Sequence, residues 1–469
     1  MSPTFRSLAH ANYRLYAGGS LVSNTGKWMQ RIAQDWLVLL LAASPGTAIG
    51  ITTGLQFLPF LLLSPFAGLV ADRVPKRRLL QATNIGMALP AVVLATLALT
   101  GTVEIWHVYV LALVLGVASA LDAPARQSFV SEIVGPEDLT NAVGLNSASF
   151  NAARLIGPGV AGLLIAAFGG GVAATGWVIT ITAVSYLAPV LALQRMDPAR
   201  LDTPAPAARE PRMVRAGIAY VRNRPDLVFV LATVFVVGTF GMNFQLTSAL
   251  MATEVYGRGA TAYGLLGTFL AVGSLAGALL AAGRVRPRLR MVLLAALAFG
   301  VLEVASGLMP TYVAFAVVTP LLGFASLTMI TAANSYLQLN SGAHVRGRVM
   351  ALYTMIFLGG TPVGAPVVGW VGEVLGARWT LLLGGGITVL GVVAAGLVFA
   401  RHEGILTGRG AGSNLGPRVW DHQALARARK RPATVTARWR HTPHHTSGAQ
   451  RPGVAPPRHR ARQSAGTES

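Results

Sequence analysis

The chain alternates between long apolar blocks and short basic connections. Five of the blocks contain no charged residue: 36–71, 79–103, 155–194, 227–253 and 304–343. Because about 20 apolar residues form a helix that crosses the hydrocarbon layer, several blocks are long enough for two crossings with a Gly, Pro or Ser break between them. The pattern therefore predicts an all-α integral membrane protein of about twelve transmembrane helices.

The predicted spans form two sets of six. The first set covers residues 15–42, 48–71, 79–100, 106–124, 141–168 and 175–193. The second set covers residues 226–251, 263–283, 291–308, 312–334, 348–372 and 379–400. Two six-helix bundles are therefore expected, and an even number of spans places both termini on the same side of the membrane.

Basic residues between the spans predict which side that is. If the N-terminus is cytoplasmic, the inside connections, counted with Arg126, carry twenty Lys and Arg residues, whereas the outside connections carry only Arg258 and Arg378. Cytoplasmic loops of membrane proteins carry this excess of positive charge. We therefore expect a multi-pass protein of a bacterial cytoplasmic membrane, with both termini in the cytoplasm.

Composition shifts divide the chain into four segments. An N-terminal bundle (1–193) and a C-terminal bundle (226–400) flank a cytoplasmic central loop (194–225), and a basic tail (401–469) is predicted to be disordered. The tail either touches anionic lipid head groups or has no role. Within the loop, apolar residues at helical spacing predict an amphipathic helix on the membrane surface, or equally a solvated linker helix. These residues are Met213, Val214, Gly217, Ile218 and Val221.

The first span carries a polar stripe on an otherwise apolar helix. Ser20, Asn24, Lys27, Arg31 and Asp35 are three or four residues apart, so they share one helix face. Each charge near the bilayer centre costs about 2.5–3.5 kcal/mol on insertion scales. The stripe is therefore expected to face a wet cavity or to be paired inside the protein.

Two interpretations of this stripe remain open. In the first, it lines a central cavity and Asp35 binds a proton or a cationic substrate. In the second, Arg31 and Asp35, which have the spacing of a helical ion pair, lock the first span to its neighbours. If Asp35 binds the proton, replacing it would abolish function in a folded protein. If Asp35 belongs to a purely structural pair, replacing it would affect folding instead.

Further polar residues within the spans are candidates for the same cavity. Each is also explained by hydrogen bonding between helices, and Arg154 either binds an anionic group, pairs with Asp35 or supports packing. Glu303, near the outer end of the ninth span, is expected to reach the membrane interface. The candidate cavity residues beside the stripe are Gln34, Gln56, Asn146, Arg154, Asn243 and Gln245.

The connection between the second and third spans reads GLVADRVPKRR (68–78). This stretch resembles the signature loop of the major facilitator superfamily, although Val70 and Pro75 depart from its pattern. The twelve-span plan extends the resemblance over residues 5–400, and it implies two bundles that alternate access to a midplane site. The loop would act as a gate, with its carboxyl at a helix terminus of the other half. The matching gate residues are Gly68, Asp72, Arg73, Lys76 and Arg77.

A second motif, RLIGPGVAG (154–162), resembles the Gly-Pro motif of exporters in that superfamily, through Gly157, Pro158 and Gly162. Residues 28–39 and 122–134 are similar to the branch of enterobactin-type siderophore exporters and twelve-span drug:proton antiporters. The resemblance implies export driven by protons. Those antiporters often carry an arginine four residues before a glycine of the fourth span, and here the position is Ala112.

Other classes of function find little support in the sequence. The net charge of +21 comes from loops and tail, which argues against nucleic-acid binding as a primary function. There is no cysteine, and no phosphate-loop, zinc-protease or Ser-hydrolase signature. We therefore expect no enzyme activity, catalytic residue, metal or cofactor, and a functional monomer in the lipid bilayer.

The expected function is secondary active transport, specifically proton-coupled efflux of a small amphipathic molecule such as a drug or siderophore. Metabolite uptake is one alternative, against which the Gly-Pro motif argues. A membrane scaffold or sensor is another, and the charged stripe argues against it, because a scaffold has no use for buried charge.

Overall fold

The computed structural model describes residues 3–202, 213–282, 288–342 and 345–402. Within these ranges the chain is helical, and twelve helices have membrane-crossing length. The predicted tail, apart from Arg401 and His402, and part of the central loop lie outside the described residues. A short helix, Met213–Arg222, lies in that loop.

The twelve long helices are labelled α1–α12 in chain order. The first six are α1 (Ala11–Leu41), α2 (Pro45–Arg73), α3 (Lys76–Thr100), α4 (Ile105–Ile133), α5 (Pro136–Ala167) and α6 (Val172–Arg195). The others are α7 (Pro225–Val255), α8 (Ala260–Ala282), α9 (Leu289–Gly307), α10 (Tyr312–Asn340), α11 (Arg346–Leu375) and α12 (Ala377–His402).

Eleven of these helices are apolar enough to cross a membrane by composition, and α1 is not among the eleven. Its polar stripe lowers its hydropathy, yet its 31 residues span a bilayer and it packs against α5 and α6. The structure is thus the expected all-α membrane fold of two six-helix bundles. Apolar side chains such as Leu390, which is 72% exposed, cover the outside as a lipid-facing surface.

Several helices are longer than the predicted spans. The fourth span was predicted to end at residue 124, whereas α4 continues to Ile133. Hydropathy identifies only the segment inside the hydrocarbon layer, but helical hydrogen bonding continues where charged side chains find partners. Arg126 and Glu132, in the added turns, each form an ion pair.

The helix α7 is interrupted by two π-helical turns, Val237–Gly241 and Met251–Val255. At the first turn the Asn243 side chain donates to the carbonyl oxygen of Thr239, at 2.9 Å. Such turns are rare and occur frequently at functional sites. The first of them lies at the middle of α7, beside α9, α11 and α12.

The most extensive contacts between the N-terminal and C-terminal bundles are those of α2 with α11 and of α5 with α8, and α1 also meets α7 and α8. We call the end where α2 meets α3 the basic end, and the opposite end the far end. At the far end a methyl group on Gly50 would lie 2.4 Å from the Ala365 carbonyl oxygen. At the basic end, methyl groups added to Gly68 of α2 and Gly144 of α5 would have no atom of the described residues within 4 Å. The bundles therefore meet at the far end and separate toward the basic end.

Close backbone packing inside the C-terminal bundle gives a testable prediction. A methyl group on Gly323 of α10 would lie 2.0 Å from the Leu270 carbonyl oxygen of α8, and backbone cannot yield as a side chain can. We expect Gly323→Ala to destabilise the protein by about 1–3 kcal/mol through overpacking. Thermal unfolding of the purified protein in detergent measures this.

The matched control is Gly386→Ala in α12, because nothing lies within 4 Å of its added methyl group. This change should leave stability unchanged or raise it by about 0.5–1 kcal/mol through helix propensity. Equal melting temperatures for the two variants would contradict the close α8–α10 contact.

Candidate functional site

The Asp122 carboxylate of α4 is the centre of a charge cluster. This cluster lies against the part of the α1 stripe that is nearer the basic end. The Asp122 side chain accepts hydrogen bonds from Arg126 Nε at 2.9 Å and from Thr83 Oγ1 of α3 at 2.9 Å. Lys27 Nζ of α1 lies 3.3 Å from Asp122 Oδ2. One carboxylate therefore faces two cations, and it ties α1, α3 and α4 together.

Asp122 was not predicted as a site residue, although it stands within the quoted 122–134 stretch. The i, i+4 spacing of Asp122 and Arg126 was the available signal. Arg126 had been counted among the cytoplasmic connections, and this was wrong. Its side chain is 15% exposed and also donates to Ser20 Oγ of the stripe, at 3.3 Å. The α4 helix simply continues past the predicted end of the span.

Farther along the stripe, Arg31 lies between the two bundles. Its Nη1 donates to Gln245 Oε1 of α7 at 3.2 Å. Its guanidinium carbon lies 5.1 Å from the Trp28 ring centroid and 5.2 Å from that of Phe57 on α2. We call the cluster of Trp28, Arg31, Phe57, Arg154 and Gln245 the vestibule.

Arg154 of α5 occupies the other side of Trp28. Its guanidinium carbon lies 5.5 Å from the Trp28 ring centroid. In the described part of the chain, neither Arg154 nor Arg31 forms an ion pair with a carboxylate. The vestibule therefore presents two cationic groups held by aromatic faces rather than by acids.

Asp35 is bonded to the other bundle, not to Arg31. Its Oδ2 accepts a hydrogen bond of 2.7 Å from the Tyr263 hydroxyl of α8, and the carboxyl is 6% exposed. The helical ion pair between Arg31 and Asp35 that the spacing allowed is absent from the described residues. Each side chain instead reaches a helix of the C-terminal bundle, because α1 lies at the contact of the two halves.

The other candidate residues occupy varied positions. Asn24 and Gln34 are buried on α1, whereas Gln56 and Asn146 are partly exposed. Asn243 bonds to backbone oxygens of its own helix and so stabilises the π-helical turn of α7. These amides do not bond to the vestibule in the described residues.

The Gly-Pro motif stands where α5 meets both α1 and α8. A methyl group on Gly157 would lie 2.6 Å from Trp28 Cβ, and one on Gly162 would lie 2.5 Å from the Ala260 carbonyl oxygen. The Pro158 carbonyl oxygen similarly faces Gly264 of α8. Small residues let the two bundles approach closely here.

The basic loop at residues 73–76 and its flanks bond within the N-terminal bundle. Lys76 pairs with Glu132 of α4, and Arg77 Nε donates to the Leu193 carbonyl oxygen at 2.6 Å. Asp72 and Arg73 are exposed, and no contact of Asp72 with a helix terminus of the other half is present among the described residues. This agrees with the separation of the bundles at the basic end.

Glu303 of α9 does not reach the membrane interface, so that expectation was wrong. Its side chain is 1% exposed and points between α7 and α12. Separately, no group of three metal-ligating side chains lies together in the described ranges.

Comparison with known proteins identifies the family. A family model described as "Transmembrane secretion effector" matches residues 2–407. The chain belongs to this family of the major facilitator superfamily.

Three characterised relatives resemble the transporter over most of its length. It is 24% identical to the staphyloferrin A transporter of Staphylococcus aureus, over 80% of this chain and 93% of that protein. It is 28% identical to the multidrug efflux pump Tap of Mycolicibacterium fortuitum, with the same two coverages. The enterobactin exporter EntS of Shigella flexneri is 25% identical over 74% of this chain and 81% of that protein.

Solved structures support the fold of this multi-pass membrane transporter. A D-xylose-proton symporter superposes with a TM-score of 0.66 at 12% identity, covering 82% of this chain and 96% of that one. A bacterial homologue of the lysosomal transporter Spinster, in an inward-facing and unoccupied conformation, gives a TM-score of 0.63 at 14% identity, covering 85% and 98%.

The Asp122 cluster gives a second prediction. Asp122→Asn leaves Lys27 and Arg126 buried without their carboxylate, so we expect a loss of stability of about 3–5 kcal/mol. Thermal unfolding in detergent, followed by size-exclusion chromatography, measures the loss.

Arg200→Ala is its control, because the Arg200–Asp197 pair is 71% and 49% exposed. Removing it should cost less than about 1 kcal/mol. If Asp122→Asn and Arg200→Ala had the same melting temperature, the Asp122 carboxylate would not hold the helices together.

Proposed function

We propose that this protein is a proton-coupled exporter of a small amphipathic molecule, a drug or a siderophore, that works by alternating access. The observation that carries the proposal is the α1 stripe, whose Arg31 and Asp35 bond across the two bundles to Gln245 and Tyr263. A charged helix face at a movable interface supplies both a ligand site and a coupling group. The relatives named as drug pumps and siderophore transporters support the substrate class.

The vestibule suits an amphipathic ligand. Trp28 and Phe57 offer aromatic faces for an apolar or aromatic part of the molecule. Arg31 and Arg154, which form no ion pair with a carboxylate in the described chain, offer guanidinium groups for carboxylate or phenolate oxygens. A ligand with both an apolar part and anionic oxygens would use both features, so siderophores of this kind come first among the substrates to test.

Asp35 links proton binding to the contact between the bundles. Tyr263 donates to its carboxylate, and a hydrogen bond to an ionised acceptor is about twice as strong as a neutral one. Protonation of Asp35 would therefore weaken the α1–α8 contact and favour opening of the far end. Substrate release and proton uptake would then occur on the same side.

The orientation follows from the basic connections. The basic end faces the cytoplasm by the positive-inside rule, with both termini there, in a bacterial cytoplasmic membrane. In this orientation the described conformation is closed outward and open inward. The Gly68–Arg77 loop gates the inner side, and its Asp72 would contact the other bundle only after that side closes.

Transport in everted membrane vesicles tests the coupling. We expect vesicles with the wild-type protein to accumulate a compound from a panel of fluorescent drugs and siderophores when a pH gradient is imposed. Asp35→Asn should abolish gradient-driven accumulation, because Asn cannot exchange a proton, while the protein still folds. Tyr263→Phe keeps the carboxyl and should retain partial activity.

Unchanged accumulation by Asp35→Asn would exclude Asp35 as the proton site. The absence of gradient-dependent movement for every compound, with folded protein, would favour uptake or a non-transporting role. The control variant is Glu104→Gln, which removes an exposed carboxyl outside the site and should accumulate substrate as the wild type does.

Orientation has its own test, since the chain has no cysteine. Thr102→Cys lies in the far-end loop between α3 and α4, and Ala199→Cys lies after α6 at the basic end; both positions are exposed. We expect a membrane-impermeant maleimide to label Thr102→Cys on intact cells, and Ala199→Cys only after permeabilisation. The reverse pattern would invert the assigned orientation and with it the direction of transport.

A further inference from the structure

One buried carboxyl lies apart from the vestibule and has no role in the mechanism above. Glu303 is 1% exposed, and its Oε2 has no hydrogen-bond partner among the described residues. A carboxylate left unpaired in a dry interior is very costly, whereas the neutral acid is tolerated. The position therefore holds a proton for as long as its surroundings stay closed.

Two helices, α7 and α12, enclose the Glu303 side chain of α9. A methyl group on Gly241, in the first π-helical turn of α7, would lie 3.0 Å from Glu303 Oε2 and 2.9 Å from Thr388 Oγ1 of α12. A methyl group on Gly384 of α12 would lie 3.0 Å from Glu303 Oε1. Thr388 Oγ1 is also buried and has no hydrogen-bond partner in the described ranges, so two unsatisfied polar groups face one small space.

Among the residues that the structure describes, no charged group supplies a counter-ion to Glu303. The helix α10 carries no Asp, Glu, Lys, Arg or His, and α9 carries only Arg290 besides Glu303. On α7 and α12 such residues stand near the helix ends: Asp226, Glu254, Arg378, Arg401 and His402. Arg378 is engaged with the Gly307 and Met309 carbonyl oxygens, at 2.8 and 2.9 Å.

The small space beside Glu303 determines which ligand can bind there. The methyl group on Gly241 would also lie 2.6 Å from Phe299 Cε1, so even one added carbon does not fit. A hydrated metal ion is larger than that carbon. A proton on the carboxyl oxygen is the ligand that this space admits.

We propose that Glu303 is a second proton-binding site of this transporter, separate from the α1 stripe, and that movement of α7 at Val237–Gly241 controls its access to water. A π-helical turn is a place where a helix can bend or shift register. When α7 moves away from α12, Glu303 and Thr388 become hydrated and the carboxyl releases its proton. When α7 returns, only the protonated carboxyl is accommodated.

This proposal rests on proton-coupled transport for its role in the cycle, but the site itself can be tested without transport. Dicyclohexylcarbodiimide modifies protonated carboxyls in apolar surroundings. We expect it to modify Glu303 in the protein reconstituted in liposomes, and to do so more slowly as the pH rises. Mass spectrometry of the Glu303 peptide measures the modification, with Glu303→Gln as the negative control.

Modification that is independent of pH would mean a permanently neutral, structural acid, and would overturn the proposal. Absence of any modification of Glu303 at every pH, in folded protein, would also overturn the proposal.

Transport by variants gives a second measurement. In everted vesicles, Glu303→Gln should lose gradient-driven accumulation but keep exchange of labelled for unlabelled substrate, since the vestibule is untouched. Thr388→Val removes only the neighbouring hydroxyl group and should shift the pH profile of transport. Glu254→Gln, which changes an exposed carboxyl of α7, should behave as the wild type.

A pH profile of Glu303→Gln that matches the wild type would overturn the proposal even if export is confirmed. If the wild type showed no gradient-driven movement, the proposed function would fail, and the pH-dependent modification of Glu303 would decide the proton site by itself.

Discussion

The fold depends on one constraint: a charge that enters the hydrocarbon layer must find a partner inside the protein. The Asp122 carboxylate meets this constraint for Lys27 and Arg126, with Thr83 and Asn84 completing its shell. Through it, α1, α3 and α4 are joined. The polar face of α1 can then stand at the centre of the molecule without facing lipid.

The two ends of the stripe are stabilised differently. At the basic end, Lys27 is neutralised by a carboxylate of its own bundle. Farther along, Arg31 and Asp35 reach side chains of the opposite bundle, Gln245 and Tyr263. The first arrangement lies within one bundle, whereas the second joins the two bundles. A single helix thus carries contacts of both kinds.

Glycine determines where the bundles meet. Gly50 and Gly369 bring α2 and α11 into backbone contact, and Gly162 and Gly264 do the same for α5 and α8. Small residues let the helix backbones approach closely at these places. Within the C-terminal bundle, Gly241 and Gly384 similarly make room for the buried Glu303 side chain.

The sequence by itself determined the membrane fold and the polar face of α1, because hydropathy and a 3.6-residue period are local properties. It could not supply the partners of that face, since Asp35 and Tyr263 lie on helices from different halves of the chain. For the same reason, spacing alone suggested an ion pair between Arg31 and Asp35. The sequence likewise led us to expect Glu303 at the membrane interface. Only the tertiary structure decided these points, because packing places Gly241 and Gly384 around the Glu303 carboxyl and leaves Glu303 1% exposed.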